Sequence, residues 1–149
     1  MYIAQFNISK ERYPLEHPAM QDFVDRLGEV NAVADEWEGF VWRLHDDTGN
    51  ATAIRTFDDP TIIFNLSVWK SVATLKDFVY QSRHVEVLKK RRTWFEHWDK
   101  PSYVLWWVEE SARPSLEEAK ARLRHIQDNG PSAHAFDFDH VPDTASIDG

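Results

Sequence analysis

The stretch Tyr103–Val108, YVLWWV, is apolar on both of its faces. Side chains alternate across a strand, so a strand wetted on one side carries a polar row. This stretch has none, and both of its sides must be covered. The expectation is a central strand with packing above and below. Any fold for the chain has to supply two covers.

Two further stretches alternate. In Tyr2–Ile8, Tyr2, Ala4, Phe6 and Ile8 face one way; Ile3, Gln5 and Asn7 face the other. In Thr61–Trp69, Ile62, Phe64, Leu66 and Val68 oppose Ile63, Asn65, Ser67 and Trp69. Each has one apolar row and one mixed row. Phe40–His45, FVWRLH, is short, aromatic and branched, which favours a strand. The turn cluster Asp46–Asn50 follows, and Ala51–Asp59 reads as a short extended piece or a loop over a pocket.

Helical spacing connects these strands. Met20, Phe23, Val24, Leu27, Val30, Ala34 and Trp37 recur on one stripe, and Gly39 can stop the helix. A second helix runs from Ser71 to about Tyr80 with Val72, Leu75, Phe78 and Val79 inward. After a break at Gln81–Arg83, His84–Trp98 continues as another piece. There His84, Leu88, Arg91, Phe95 and Trp98 share a face. A last helix begins at the capping box of Ser115 and Glu118 and ends at Asn129–Gly130. Its apolar residues are Leu116, Ala119, Leu123 and Ile126, which suits a surface helix.

The order strand, helix, strand, strand, helix, strand predicts an α+β chain. It is the split, ferredoxin-like arrangement: a four-stranded antiparallel sheet with helices on one face. The other face then needs a cover, and a second copy of the chain is the economical one, making a homodimer. The domain is expected over residues 1–130, with 131–149 a tail partly docked near Phe136–Phe138.

Composition narrows the partners. The 149 residues make one domain, and 13% aromatic content with seven tryptophans exceeds what one small core uses. An interface or an aromatic-lined cavity would take the surplus. A net charge of −8 argues against nucleic acid and anionic membrane, since both call for a basic face. The basic run Lys89–Arg92 is spread around a helix. With no cysteine, thiolate chemistry is excluded. No apolar run reaches membrane length, and Met1–Ser9 lacks a signal-peptide pattern, so a soluble cytoplasmic protein is expected.

The candidate site is built on the mixed rows. Asn7, Asn65, Ser67 and Trp69 would share one face of the sheet, with Gln5 beside them. Small amides there make either the polar floor of a pocket or a set that satisfies itself. His84 reads as a general base or as a histidine packed at a helix break. Arg91 reads as an anchor for a ligand anion or as the partner of Asp22, Asp25 or Glu29. Arg43 has the same two readings. Tyr80 and Trp94 are placed along the pocket wall. No metal-ligand spacing or nucleophile elbow occurs, so neither a metal nor another cofactor is expected.

VWKS at Val68–Ser71, followed by Leu75, Phe78 and His84, resembles the dimeric α/β-barrel superfamily, which includes antibiotic-biosynthesis and haem-degrading monooxygenases. More closely, GFVWRL at Gly39–Leu44, NLSVW at Asn65–Trp69, FVYQSRH at Phe78–His84, RRTWF at Arg91–Phe95 and LWWV at Leu105–Val108 are similar to the bacterial domain-of-unknown-function family 3291. The likeness spans about residues 1–138. It implies the barrel fold and a dimer, and no reaction. Haem-degrading members use an asparagine on the first strand, a tryptophan on the third and a histidine on the second helix. Asn7 and Trp69 match the first two, but the axial histidine falls near Lys89.

The leading expectation is therefore a homodimer that binds a small organic ligand. As an enzyme it would be a cofactor-independent monooxygenase-like or acid–base catalyst of a conjugated or phenolic substrate. His84 would move the proton, and Arg91, with Asn65 or Asn7, would hold an enolate-like oxygen. The alternatives are a non-catalytic carrier or interaction module, and a haem-binding or haem-degrading protein. Whether the chain is an enzyme at all stays open at this level.

Overall fold

The computed structural model describes residues 1–10, 17–44, 62–81 and 100–143, apart from the side chains of 26–31, 63 and 81. The readings placed on 45–61 and on the helix His84–Trp98 lie outside these residues, and with them His84, Arg91 and Trp94.

The chain is α+β. Strand β1 (Tyr2–Lys10) leads through a 3-10 turn (Pro18–Met20) into helix α1 (Gln21–Glu36) and strand β2 (Phe40–Arg43). Strand β3 (Ile62–Trp69), helix α2 (Val72–Gln81), strand β4 (Tyr103–Val108) and helix α3 (Leu116–Asn129) follow. The four strands form one sheet in the order β2-β3-β1-β4, antiparallel throughout.

Local chemistry sets the ends of these helices. At α2 the Ser71 hydroxyl accepts from the Thr74 backbone N–H at 3.1 Å, while Thr74 Oγ1 accepts from the Ser71 N–H at 3.3 Å. Two backbone donors are satisfied reciprocally. At α3 the Ser115 hydroxyl accepts from Glu118 N–H at 3.1 Å. The expected return bond is replaced, because the Glu118 carboxylate takes Arg122 Nη2 at 3.0 Å. Between α1 and β2 the chain turns at Gly39, whose φ of +90° suits glycine. Phe23 and Ala34 of α1 are buried, as is Met20 just before it. Val24 is 38% exposed, against its expected inward place, because it is turned about 100° around the helix from its buried neighbour Phe23.

The register assembles two distinct faces. Ala4, Phe6 and Ile8 of β1 lie with Phe64, Leu66 and Val68 of β3 and Val104, Trp106 and Val108 of β4. Ala119, Leu123 and Ile126 of α3 close over them. On the opposite face, Ile3, Trp69 and Leu105 pack with Ala34 of α1, Leu75 and Phe78 of α2, and Phe136.

Two expectations are corrected here. The two helices of the split arrangement, α1 and α2, do share one face, but the other face is not left for a second copy, because α3 covers it. The doubly apolar strand is not central either. β4 stands at the end of the sheet order. Its outer edge is met by Phe136, which exchanges backbone bonds with Leu105 at 2.8 and 2.9 Å. Both covers that YVLWWV demands thus come from the same chain. The even face did not reveal its partner because α3 follows the strand in sequence and carries only a short apolar stripe.

Candidate functional site

The mixed rows meet on the face covered by α1 and α2. Antiparallel pairing sets Asn65 opposite Asn7, and Asn7 opposite Tyr103. One row along, Arg43 stands opposite Ser67, Ser67 opposite Gln5, and Gln5 opposite Leu105. Beyond that lie Phe40, Trp69, Ile3 and Trp107. The face therefore grades from polar to aromatic along the strands.

A register shift in β2 brings Arg43 into the polar row. Phe40 pairs with Trp69 and Trp42 with Val68, so the extra residue is absorbed at Val41. Arg43 then turns to the Ser67 side. Its Nε and Nη2 donate to the two carboxylate oxygens of Asp35 at 2.8 and 3.1 Å. The guanidinium is buried, and the α1 carboxylate meets its charge inside the chain.

At the centre is Gln5, only 8% exposed. Its Nε2 donates to Asn65 Oδ1 and, at 2.7 Å, to Ser67 Oγ. Its Oε1 accepts from Asn7 Nδ2 at 2.8 Å. Ser67 Oγ accepts a second bond, from the Trp69 indole N–H at 2.9 Å. A buried amide with every heavy atom engaged carries little desolvation penalty. The Asn65 Nδ2 and Asn7 Oδ1 atoms take no part in these bonds. Both asparagines are half-buried, and one side of each amide is tied down by Gln5.

Trp69 belongs to the core more than to any ligand surface. It is 2% exposed, stacked on Phe78 with ring centroids 5.0 Å apart and meeting Phe40 edge-on at 5.4 Å. Its contribution to the site is the N–H that fixes Ser67. Tyr80, 55% exposed, stands apart from this network, its ring 6.3 Å from that of Phe138.

Tyr103 joins the site through its register with Asn7. Its hydroxyl oxygen accepts from the Phe138 N–H at 3.2 Å. Burial holds the phenol above its ordinary pKa of 10.0, and the Asp137, Tyr80 and Asp139 charges push the same way, opposed by the Phe138 bond. It is a protonated hydroxyl at neutral pH. The segment carrying Phe138 is held further on by Trp107 Nε1, which donates to the Pro142 carbonyl at 3.0 Å.

The structure thus brings Asn7, Asn65, Ser67, Trp69 and Arg43 together, with Arg43 turned to Asp35. Tyr103 and Asp35 are the residues that sequence reasoning missed as members of the site. Gln5 was expected beside the asparagines, and the strand register puts it between them. Tyr103 was hidden within an apolar stretch, and Asp35 gave no signal. Among the described residues, no cluster of three or more histidine, aspartate or glutamate side chains is disposed to hold a metal ion. No helix among them is long and apolar enough to cross a membrane.

No curated protein matches the chain. Among solved structures it is similar to a protein of unknown function, NE2512, from Nitrosomonas europaea, with a TM-score of 0.51 and 11% identity over 76% of this chain and 95% of that one. That likeness is one of fold. The family described as Domain of unknown function (DUF3291) matches residues 2–148, and the chain belongs to it.

Proposed function

We propose that this protein binds a small organic ligand at the polar end of the sheet face under α1 and α2. The observation that carries the reading is the Gln5 network. Gln5 and Ser67 are buried and bonded to each other, and Gln5 holds Asn7 and Asn65 with one side of each amide uncommitted. Preorganised polar groups beside an aromatic wall are what small-molecule sites are made of. Here the aromatic side is Phe40, half-buried, backed by the core residues Trp69 and Phe78. The acid–base or monooxygenase-like extension assigns proton transfer to His84 and anion stabilisation to Arg91, with Tyr80 and Trp94 along the wall. Tyr103, protonated and opposite Asn7, adds a second proton donor to that reading.

The strand order β2-β3-β1-β4, with helices after β1 and β3, supports the split ferredoxin-like reading and the barrel superfamily that goes with it. A homodimer belongs to the same reading. Its original motive is weaker, because α3 already covers much of the face assigned to the second copy. The haem reading has less support: Trp69 lies under Phe78, with its N–H engaged by Ser67.

Native mass spectrometry of the purified protein tests ligand binding. A retained adduct of a few hundred daltons, lost on Asn65→Leu, is the expected result. A bare chain that also fails to bind any member of a fragment library would end the proposal.

A further inference from the structure

We infer that Asn7 and Asn65 form a recognition edge for a neutral ligand carrying a hydrogen-bond donor and an acceptor side by side, the cis-amide of a lactam. The inference rests on the ligand-binding reading and adds the chemistry of what is bound. Asn7 and Asn65 are directly opposed across β1 and β3, on the same face. Opposed side chains on a sheet stand about 4.5–5.5 Å apart at Cβ, within reach of one small ring.

The valences follow from the network. Asn65 spends Oδ1 on Gln5, which leaves Nδ2 as a donor. Asn7 spends Nδ2 on Gln5, which leaves Oδ1 as an acceptor. With those atoms held at Gln5, the heavy atoms turned away from it are one donor, Asn65 Nδ2, and one acceptor, Asn7 Oδ1, and a cis-amide answers both with its C=O and N–H. A carboxylate answers only the donor, and its second oxygen would face the Asn7 carbonyl oxygen. Arg43 is the cation in the adjacent row, and it is turned to Asp35. The edge is thus selective for neutral over anionic ligands.

The network can also run in the opposite sense. If all three amides turn together, Ser67 donates its hydroxyl proton to Gln5 Oε1, Asn65 Nδ2 donates to the same oxygen, and Gln5 Nε2 donates to Asn7 Oδ1. The Trp69 bond to Ser67 Oγ is unchanged, because an indole N–H only donates. Every heavy-atom contact survives, and the ligand edge again shows one donor and one acceptor, exchanged in position. A lactam fits either sense by flipping its ring, and a ligand with only acceptors fits neither.

The test uses three probes of nearly the same shape on the unmodified full chain. 2-Pyridone has the cis-amide, N-methyl-2-pyridone lacks its donor, and benzoate is an anion. Side-chain amide signals of Asn7 and Asn65, assigned by Asn7→Ala and Asn65→Ala, are followed by nitrogen–proton NMR titration. The expected result is that 2-pyridone shifts both signals and that the other two bind at least tenfold more weakly. Benzoate or N-methyl-2-pyridone binding as tightly as 2-pyridone overturns the inference. So does silence from 2-pyridone at millimolar concentration. If a native ligand is nonetheless retained by the purified chain, the binding reading stands and only its chemistry falls; if nothing is retained and no probe binds, both fall.

Discussion

The buried carboxamide of Gln5, on β1, donates to the Ser67 hydroxyl oxygen on the neighbouring β3 at 2.7 Å. That oxygen also accepts the Trp69 indole N–H at 2.9 Å. Ser67 is 4% exposed, so two donors converge on an acceptor with little access to water. Ser67→Ala removes the oxygen and leaves the Trp69 N–H buried without this partner. The expected loss is about 1–3 kcal/mol of stability, read from urea melts. Adding Trp69→Phe to Ser67→Ala should cost less than the two separate losses, since the orphaned donor leaves with it. Strict additivity would mean that the bond carries no weight.

Arg43 and Asp35 join β2 to α1 through two parallel bonds. Arg43 is 9% exposed and Asp35 45%. Asp35→Ala removes a carboxylate from a cation that water reaches poorly, and a fully buried pair would lose about 3–5 kcal/mol on such a change. Screening at the exposed carboxylate reduces that to about 1–3 kcal/mol. The measurement is the denaturation midpoint of Asp35→Ala at low and high salt. An unchanged midpoint would show that the guanidinium is satisfied without Asp35.

Among the described residues, two glycines have positive φ, and they make a paired test of close packing. Gly39 has φ +90°, and a Cβ there would stand 2.5 Å from Thr74 Oγ1 at the start of α2. Gly130 has φ +79° and open space around it. Its ψ of −178° puts it in a positive-φ extended region that is essentially glycine-only, so Gly130→Ala bears only that backbone cost, about 1–3 kcal/mol. Gly39→Ala adds a collision with a residue locked in the α2 cap, so its melting temperature should fall further. Equal shifts would mean that the Gly39–Thr74 approach is easily relaxed.

Tyr103 gives the chain an alkaline limit. Its folded pKa lies above the ordinary 10.0, chiefly through burial. The folded state therefore holds this proton at a pH where the unfolded state has released it. The associated stability is fully present below pH 10 and is lost as pH rises through the folded value. Phenolate absorbance at alkaline pH should lack a late component in Tyr103→Phe. The slope of stability against pH above 10 should also flatten in that variant. Unchanged titration curves would remove Tyr103 from its half-buried place.

Much of the sheet was legible because period-two alternation is a local property. The rows of Tyr2–Ile8 read correctly, as do those described in Ile62–Trp69, and so the polar face was foreseen. Which residues oppose each other was not, because register depends on pairing between strands far apart in sequence. The bulge at Val41 shows the difficulty: plain alternation does not predict where the ladder slips, and the slip decides that Arg43 turns toward Ser67 and Asp35. The uncommitted atoms of Asn7 and Asn65 appear only once Gln5 is placed between them. The cover of the even face failed for a related reason. YVLWWV states that a cover exists, but nothing in four apolar residues spread over Leu116–Ile126 states which face they meet.

The last prediction follows from that cover. Ala119, Leu123 and Ile126 of α3 are buried against the face that holds Phe6, Val104 and Trp106. The Trp106 indole nitrogen is itself buried without a hydrogen-bond partner, while the Arg122 guanidinium lies 5.8 Å from the centre of its ring. An indole in that state depends on packing and gains nothing from a bond. Leu123→Ala opens a cavity over it and should cost about 2–5 kcal/mol. Arg124→Ala, one position along on the exposed side, should change stability by less than about 0.5 kcal/mol. Urea melts followed by tryptophan fluorescence measure both, and Leu123→Ala should also redden the emission as water reaches Trp106. If the two variants melt alike, α3 is not what seals this face. A second copy of the chain would then regain its claim to it, and light scattering of Leu123→Asp at micromolar concentration would decide, since a face sealed by α3 should aggregate once the charge forces the helix away.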